Sequence, residues 1–330
     1  MKYFNHLNVN TVEEAVSLLK GNSGKIRIIA GGTDLLGVLK DNILPNYPEA
    51  LLNIKNIPGF GNIAEDRNGL KIGALVKLND IATSPLLKEK YTVLAEAAKA
   101  VATPQIRNMG TVGGNICQDV RCWYYRYPHS TGGRIMCLRK GSGPCPAVAG
   151  DNRYHSIFGG KGCYAVNPSD LALALAVLDA EIRTFGLKGE RTIPVKDFYA
   201  PLSNALDSEE LVLEFVVPPP PAANRQQFLK YTLRKPVDFA IVSVAALIST
   251  KDGICTEARI ALGGVAPQPL RAGAAEQALQ GQKTNNTILE EAADIAVEEA
   301  KPLSMNSYKI EITRNLVARA LKNICSEKFF

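Results

Sequence analysis

The sequence lacks any apolar run approaching the roughly 20 residues of a membrane-spanning helix, although hydrophobic residues make up 46% of its 330 positions. It also lacks a block of like charge, because the lysines and arginines that give the net charge of +6 are scattered among acidic residues. The first residues contain no apolar stretch typical of a secretory signal. These absences predict a globular, cytoplasmic protein that binds neither membranes nor nucleic acid.

Two further absences concern chemistry. The three histidines form no Ser/His/Asp or Cys/His arrangement with a nucleophile, so substrate chemistry is expected elsewhere. The seven cysteines are an odd number, which argues against a disulfide framework in a cytoplasmic chain. The cysteines therefore need another explanation.

The length predicts two or three domains. A capping box at Thr11 and Glu14 starts a predicted helix over residues 11–20. The tetraproline 218–221 is the best linker candidate, because neither a helix nor a central strand continues through it. Other predicted elements are strands over 25–30, 50–54, 70–76, 238–247 and 257–262, and helices near 94–102, 171–178, 287–300 and 307–324. We expect three units, over residues 1–57, 58–217 and 222–330.

Two glycine turns are candidate phosphate sites. Ala30-Gly31-Gly32-Thr33 follows a predicted buried strand, and Thr111-Val112-Gly113-Gly114-Asn115 has similar composition. Glycine allows backbone N–H groups to close around a phosphate, although each turn taken singly is also an ordinary turn. Neither is a GxGxxG motif, so a Rossmann nicotinamide site is not supported. The carboxylate of Asp34 would repel a pyrophosphate, so we expect it to bind backbone N–H or a hydroxyl.

Residues 117–163 show neither strand nor helix periodicity, yet they contain five of the seven cysteines. A loop this long inside a compact domain needs something to hold it together, and a metal centre can replace a hydrophobic core. The spacing matches neither the compact ferredoxin run nor a zinc ribbon, and buried structural thiols remain an alternative. The cations that would offset the charge of a thiolate-bound cluster are Arg121, Arg126, Arg134, Arg139 and Lys140.

These motifs together resemble a known family. The strings are Gly113-Gly114-Asn115-Ile116-Cys117-Gln118-Asp119-Val120-Arg121-Cys122, Cys137-Leu138-Arg139-Lys140-Gly141, Pro144-Cys145 and Gly162-Cys163-Tyr164-Ala165. They resemble the flavin-binding medium subunits of the xanthine dehydrogenase family of molybdenum hydroxylases, especially those of 4-hydroxybenzoyl-CoA reductases and iron–sulfur-containing aldehyde oxidoreductases. The resemblance covers essentially the whole chain, and further matches are 30–35, 111–115, Asp170, 238–240 and 263–267.

The resemblance implies an α+β fold of the FAD-binding type shared by vanillyl-alcohol oxidase and CO dehydrogenase flavoprotein. Two subdomains, 1–57 and 58–217, would enclose FAD against a C-terminal domain over 222–330. The implied FAD-binding residues are Ile29, Ala30, Gly31, Gly32, Thr33, Asp34, Leu35, Thr111, Gly113, Gly114, Asn115, Asp170 and Lys230. The implied ligands of a [4Fe–4S] cluster are Cys122, Cys137, Cys145 and Cys163, with Cys117 outside the ligand set.

The resemblance also implies partners: a molybdopterin-binding large subunit, a [2Fe–2S] small subunit and an external electron carrier such as ferredoxin. A flavin exchanges two electrons and a cubane one at a time. The alternatives are a free-standing flavin NAD(P)H oxidoreductase and a binding module stabilised by zinc.

Some residues of the cysteine segment have open roles. His129 or His155 could replace a cysteine as ligand. The aromatic residues Trp123, Tyr124, Tyr125 and Tyr127 could either shield a cluster from water or anchor the loop. Lys230 and Arg234 precede the strand predicted over 238–247; the resemblance places a lysine of this segment near the flavin, and the alternative is a solvated pair at the entry of the strand.

Overall fold

A computed structural model describes residues 1–200, 202–235 and 237–326, and three β-sheets with surrounding helices make up its architecture. Within those residues, no helix is both long and apolar enough to cross a bilayer. The predicted boundaries of the three units stay predictions.

The first sheet is parallel, with three strands in the order β1-β3-β2. Its elements are β1 (Asn5–Asn8), α1 (Val12–Leu19), β2 (Ile26–Ile29), α2 (Leu35–Lys40) and β3 (Ala50–Asn53). The predicted helix and both predicted strands are confirmed; the Thr11 hydroxyl accepts from the Glu14 amide at 3.1 Å. Because β2 ends at Ile29, the first glycine turn lies at the carboxyl edge of this sheet, where ligands of parallel sheets bind.

The second sheet is antiparallel, with five strands in the order β4-β5-β8-β6-β7. The elements of this part are β4 (Ile63–Asp66), β5 (Gly69–Gly73), α3 (Leu78–Thr83), α4 (Pro85–Lys90), α5 (Thr92–Lys99), α6 (Pro104–Met109), α7 (Val112–Ile116), α8 (His129–Gly132), α9 (Asp170–Val177), β6 (Glu181–Gly186), β7 (Gly189–Pro194), α10 (Val195–Phe198) and β8 (Leu211–Val217). Every residue of α9 is buried, so this helix forms the centre of the largest core, which also contains α5.

The third sheet is antiparallel, in the order β12-β11-β10-β9. Its elements are β9 (Asn224–Tyr231), β10 (Val242–Lys251), β11 (Ile254–Gly263), β12 (Leu270–Arg271), α11 (Gly273–Leu279), α12 (Asn286–Ile295) and α13 (Tyr308–Cys325). The strand predicted over 238–247 starts only at Val242. A Cβ on Gly263 would lie 2.6 Å from the Ser243 hydroxyl and 2.7 Å from Leu173, so glycine there lets the third sheet pack directly on α9.

The cysteine segment between α7 and α9 has little regular structure, as predicted. It contains α8 and two 3₁₀ turns, Leu138–Lys140 and Pro146–Val148. Cys137 and Cys163 are buried in a hydrophobic cluster with Val38 and Leu39 of α2. The segment therefore packs on the first sheet, next to the first glycine turn.

Candidate functional site

A cleft of about 600 Å³ runs along the carboxyl edge of the first sheet. Both glycine turns, the start of the cysteine segment and the loop after Tyr199 contribute to its walls. The lining residues include 26–35, Thr111, Gly114, 116–120, Arg139, Asn167, Tyr199, 202–204 and Pro267. The cleft thus brings together most of the residues predicted to bind FAD, including Ile29, Ala30 and Leu35.

The first glycine turn presents open backbone amides to this cleft. Gly32 has a φ of +72°, a conformation that favours glycine, and a Cβ on Gly31 would overlap the carbonyl oxygen of Met109. Within the described part of the chain, the amides of residues 31–34 have no hydrogen-bond partner. Four successive N–H groups without a partner, on residues that line a cleft, are candidate donors to an anion.

The second glycine turn is closed by contrast. The amides of Val112 and Gly113 donate to Val76 and Ala74 at 2.9 Å each, and the Gly114 amide donates to the Thr111 hydroxyl at 3.1 Å. Thr111 and Gly114 therefore line the cleft without offering these amides. Asn115 is buried and accepts from the Ser169 hydroxyl at 2.6 Å, which fixes the turn to the start of α9.

Asp34 connects the first glycine turn to the cysteine segment. Its carboxylate pairs with Arg121 at 2.8 Å and Arg126 at 2.9 Å, and it accepts from the Asp119 amide at 3.0 Å. Burial alone would raise the pKa of Asp34, but the two guanidiniums outweigh it and hold that pKa below its usual range. The sequence predicted that Asp34 binds a backbone N–H. It did not predict the pairing with Arg121 and Arg126, because these residues follow Asp34 by 87 and 92 positions.

Asp170 and Lys230 form a buried ion pair outside the cleft lining, with a distance of 2.6 Å. Lys230 also donates to the carbonyl of Ala100 at 3.0 Å. Burial raises the pKa of Asp170 although Lys230 opposes that shift. The pair joins α9 to β9 behind the second glycine turn. Arg234 pairs with Asp238 on the surface.

Three of the four predicted cluster ligands share one hydrophobic cluster, and the fourth, Cys145, interacts electrostatically with Cys122. Cys137 and Cys163 are buried, with Cys122 packed against the same hydrophobic cluster. Cys122 interacts electrostatically with Cys145 and Cys163, and burial raises the pKa of its thiol to about 11. The amides of Tyr124 and Tyr125 donate to the Cys122 sulfur. Among the described residues, however, no three His, Cys, Asp or Glu side chains lie close enough to hold a metal ion.

His155 lies directly against one predicted ligand. Its Nε2 is 3.2 Å from the Cys122 sulfur, and the rings of Trp123 and Tyr124 pack around it. Burial and the ammonium of Lys309 lower the pKa of His155 to about 4. His129 instead contacts Asn42, away from the thiols.

The five predicted cations make three kinds of contact. Arg139 donates to the Cys163 sulfur at 3.2 Å, and Lys140 interacts electrostatically with Cys137 and Cys122. The prediction that all five offset cluster charge is not supported by these contacts. Arg121 and Arg126 pair with Asp34, while Arg134 donates to the carbonyls of Leu44 and Pro45.

Two cleft residues had no assigned role in the sequence. Cys117 is exposed and lies on the wall of the cleft. The Tyr199 hydroxyl donates to the carbonyl of Ile116 at 3.0 Å. No local sequence signal marks Tyr199, because its loop reaches the cleft only in the folded chain.

Two families of known proteins match nearly the whole chain. Residues 2–220 match the FAD binding domain in molybdopterin dehydrogenase. Residues 227–324 match the C-terminal domain of the CO dehydrogenase flavoprotein.

Individual proteins are similar over the same length. The chain is 35% identical to the aldehyde oxidoreductase FAD-binding subunit PaoB of Escherichia coli strain K12, covering 97% of this chain and 98% of that one. It is 29% identical to the carbon monoxide dehydrogenase medium chain of Hydrogenophaga pseudoflava, covering 94% and 93%. A solved carbon monoxide dehydrogenase from that organism, lacking the Mo-pyranopterin moiety, superposes with a TM-score of 0.78 at 28% identity over 98% of this chain and 97% of that one. The agreement confirms the predicted fold class.

Proposed function

Since the chain belongs to the flavin-binding subunits of the xanthine dehydrogenase and carbon monoxide dehydrogenase family, we propose that it is an electron-transfer subunit carrying FAD and a [4Fe–4S] cluster. The substrate would react on a molybdopterin-binding partner. When bound, the flavin exchanges two electrons and the cluster one.

The open amides of the first glycine turn are the observation that carries the flavin assignment. They face a cleft beside the carboxyl edge of a parallel sheet, and a pyrophosphate would satisfy N–H groups that have no partner in the described residues. Thr111 and Gly114 would form the opposite wall. Asp170 and Lys230 would act through the packing of α9 rather than by touching the cofactor.

The convergence of Cys122, Cys137, Cys145 and Cys163 supports the cluster. A cubane binds its four thiolates through four different irons, so its ligands stand farther apart than those of a single ion. The amides of Tyr124 and Tyr125 donate to the Cys122 sulfur and the Arg139 guanidinium donates to the Cys163 sulfur, so hydrogen-bond donors already face two of the four proposed ligands. Cys117 faces the flavin cleft and would remain outside the ligand set.

The proposed partners follow from the named relatives. An aldehyde oxidoreductase FAD-binding subunit and a carbon monoxide dehydrogenase medium chain are each one part of a larger enzyme. We propose a large molybdopterin subunit, a small [2Fe–2S] subunit and an external one-electron carrier such as ferredoxin. Electrons would pass between these partners through the cofactors of this chain.

Cofactor analysis of the chain purified in its native complex tests the proposal. We expect one FAD released on mild denaturation and about four irons with matching sulfide per chain. Gly32→Val should empty the flavin site, because a β-branched residue is strained at a φ of +72°. Cys145→Ser should lose most of the iron.

Cys117→Ser is the matched control for the cluster, since this cysteine lies in the same segment but on the cleft wall. It should retain its iron. Zinc in place of iron, or unchanged iron in Cys145→Ser, would contradict the cluster. Strong NAD(P)H oxidation by a monomeric native protein would favour a free-standing flavin reductase.

A further inference from the structure

Arg139 occupies a position shared by the two proposed cofactor sites. It follows Cys137 on the 3₁₀ turn Leu138–Lys140, and its side chain is only 7% exposed. Its Nε donates to the Cys163 sulfur at 3.2 Å, and the same residue lines the flavin cleft. One guanidinium therefore contacts a proposed cluster ligand and forms part of the wall of the proposed flavin site.

Other contacts hold this guanidinium in place. Its Nη1 donates to the carbonyl of Leu202 at 3.0 Å, and the Asp119 carboxylate lies 3.9 Å away. Leu202 and Asp119 both line the cleft. The guanidinium is thus fixed between the thiol cluster and the cleft rather than extended into solvent.

Of the other four cations predicted to offset cluster charge, none lines the cleft within the described residues. Arg121 and Arg126 pair with Asp34. Lys140 lies near Cys137 and Cys122 but is absent from the cleft lining. Arg139 is therefore the cation of this group that can act on both cofactors.

Resting on the proposed function, we infer that Arg139 is a positioning residue that raises the reduction potentials of both the cluster and the flavin. An N–H donated to a ligand sulfur withdraws electron density, which favours the reduced cluster. A buried positive charge at the cleft wall likewise stabilises the added electrons of a reduced flavin. The guanidinium keeps its proton throughout, so it acts only through charge and the hydrogen bond.

Potentiometric titration of the native complex tests the inference, with the cluster followed by electron paramagnetic resonance and the flavin by absorbance. For Arg139→Gln we expect both potentials to fall. For the cluster, the oxidised-to-reduced ratio at a fixed potential should change at least about tenfold, which is 59 mV for a one-electron centre. Arg139→Lys should restore most of the flavin shift because it keeps the charge.

His155→Phe is the matched control. His155 also contacts a ligand sulfur, that of Cys122 at 3.2 Å, but it does not line the cleft. Removing it should lower the potential of the cluster and leave that of the flavin unchanged. Comparing the potentials of Arg139→Gln and His155→Phe therefore separates an effect on the cluster alone from an effect on both cofactors.

Several outcomes would overturn the inference. If Arg139→Gln shifts only the cluster, as His155→Phe does, Arg139 does not act on the flavin. If neither potential moves, it does not tune either cofactor. If the glutamine variant loses its cluster, the potentials of the Arg139→Lys variant decide. Wild-type potentials for both cofactors would mean that the charge alone sets them, without the hydrogen bond to Cys163. A lowered flavin potential would contradict the role of the charge. Absence of FAD or iron from the wild-type complex would instead refute the proposed function.

Discussion

Replacing Asp34 by Asn should destabilise the flavin-binding part of the protein and reduce its FAD content. The carboxylate is 18% exposed, and its two arginine partners are each 19% exposed. The substitution would leave two largely buried guanidiniums without their counter-ion while the Asp119 amide keeps a weaker acceptor. Breaking a fully buried pair costs about 3–5 kcal/mol. Partial exposure reduces the expected loss to about 2–3 kcal/mol.

Thermal unfolding and cofactor content measure this effect. For a unit of about 150–250 residues, the loss corresponds to a fall in Tm of roughly 4–12 °C. FAD should be lost as well, because Asp34 directly follows the turn whose amides face the cleft. The stability difference should also depend on pH. The pKa of Asp34 is lowered in the folded state, so its contribution is complete above about pH 4 and disappears as the pH falls through the lowered value.

Asp179→Asn is the matched control. Asp179 also pairs with two arginines, Arg259 and Arg271, at 3.0 Å each. It is 50% exposed and contacts neither glycine turn nor the cysteine segment, so its replacement should cost no more than about 1 kcal/mol. Equal Tm values and full FAD occupancy in Asp34→Asn and Asp179→Asn would refute the reasoning.

Two further predictions follow from single contacts. Gly31→Ala should lower the Tm and the FAD content, because its Cβ would overlap the carbonyl oxygen of Met109, whereas Gly37→Ala, with open space around it, should be tolerated. Lys309 donates to three backbone carbonyls and has no carboxylate partner among the described residues, and burial lowers its pKa from 10.5 to about 7. The unfolded chain therefore binds more protons between these values, so wild-type stability should rise from pH 7 to 10 relative to Lys309→Met; parallel curves in chemical denaturation would contradict this.

Local signals predicted only part of the fold, including the elements with the clearest caps, turns and apolar runs. The capping box at Thr11, the glycine turn after β2 and the apolar helix near 171–178 depend on residues close in sequence, and each is present in the structure. Strand β9 was missed because it begins Asn-Arg-Gln-Gln, which shows no apolar alternation. Strand β10 was predicted to begin too early because the apolar residues 239–241 precede it.

The candidate site was predicted less completely because its side chains come from distant parts of the chain. The glycine turns and the cysteines were visible as motifs. The partners of Asp34 were not, and neither was the contact of Arg139 with Cys163, because a long-range ion pair leaves no periodic pattern. The second glycine turn shows a related limit, because composition did not reveal that its amides are already bonded inside the protein.

The two halves of the cysteine segment differ in how many contacts they make with the rest of the protein. This difference determines which half a bound cluster would order. Its later half is fixed to the C-terminal part by side-chain hydrogen bonds: Asn152 contacts Ser304 and Met305, while Asn306 donates to the carbonyls of His155 and Ser156. Residues 129–133 and 141–144 are exposed instead. On the proposed function, the ordering entropy of about 1–2 kcal/mol per residue would be offset by the cluster mainly between Cys122 and Cys145.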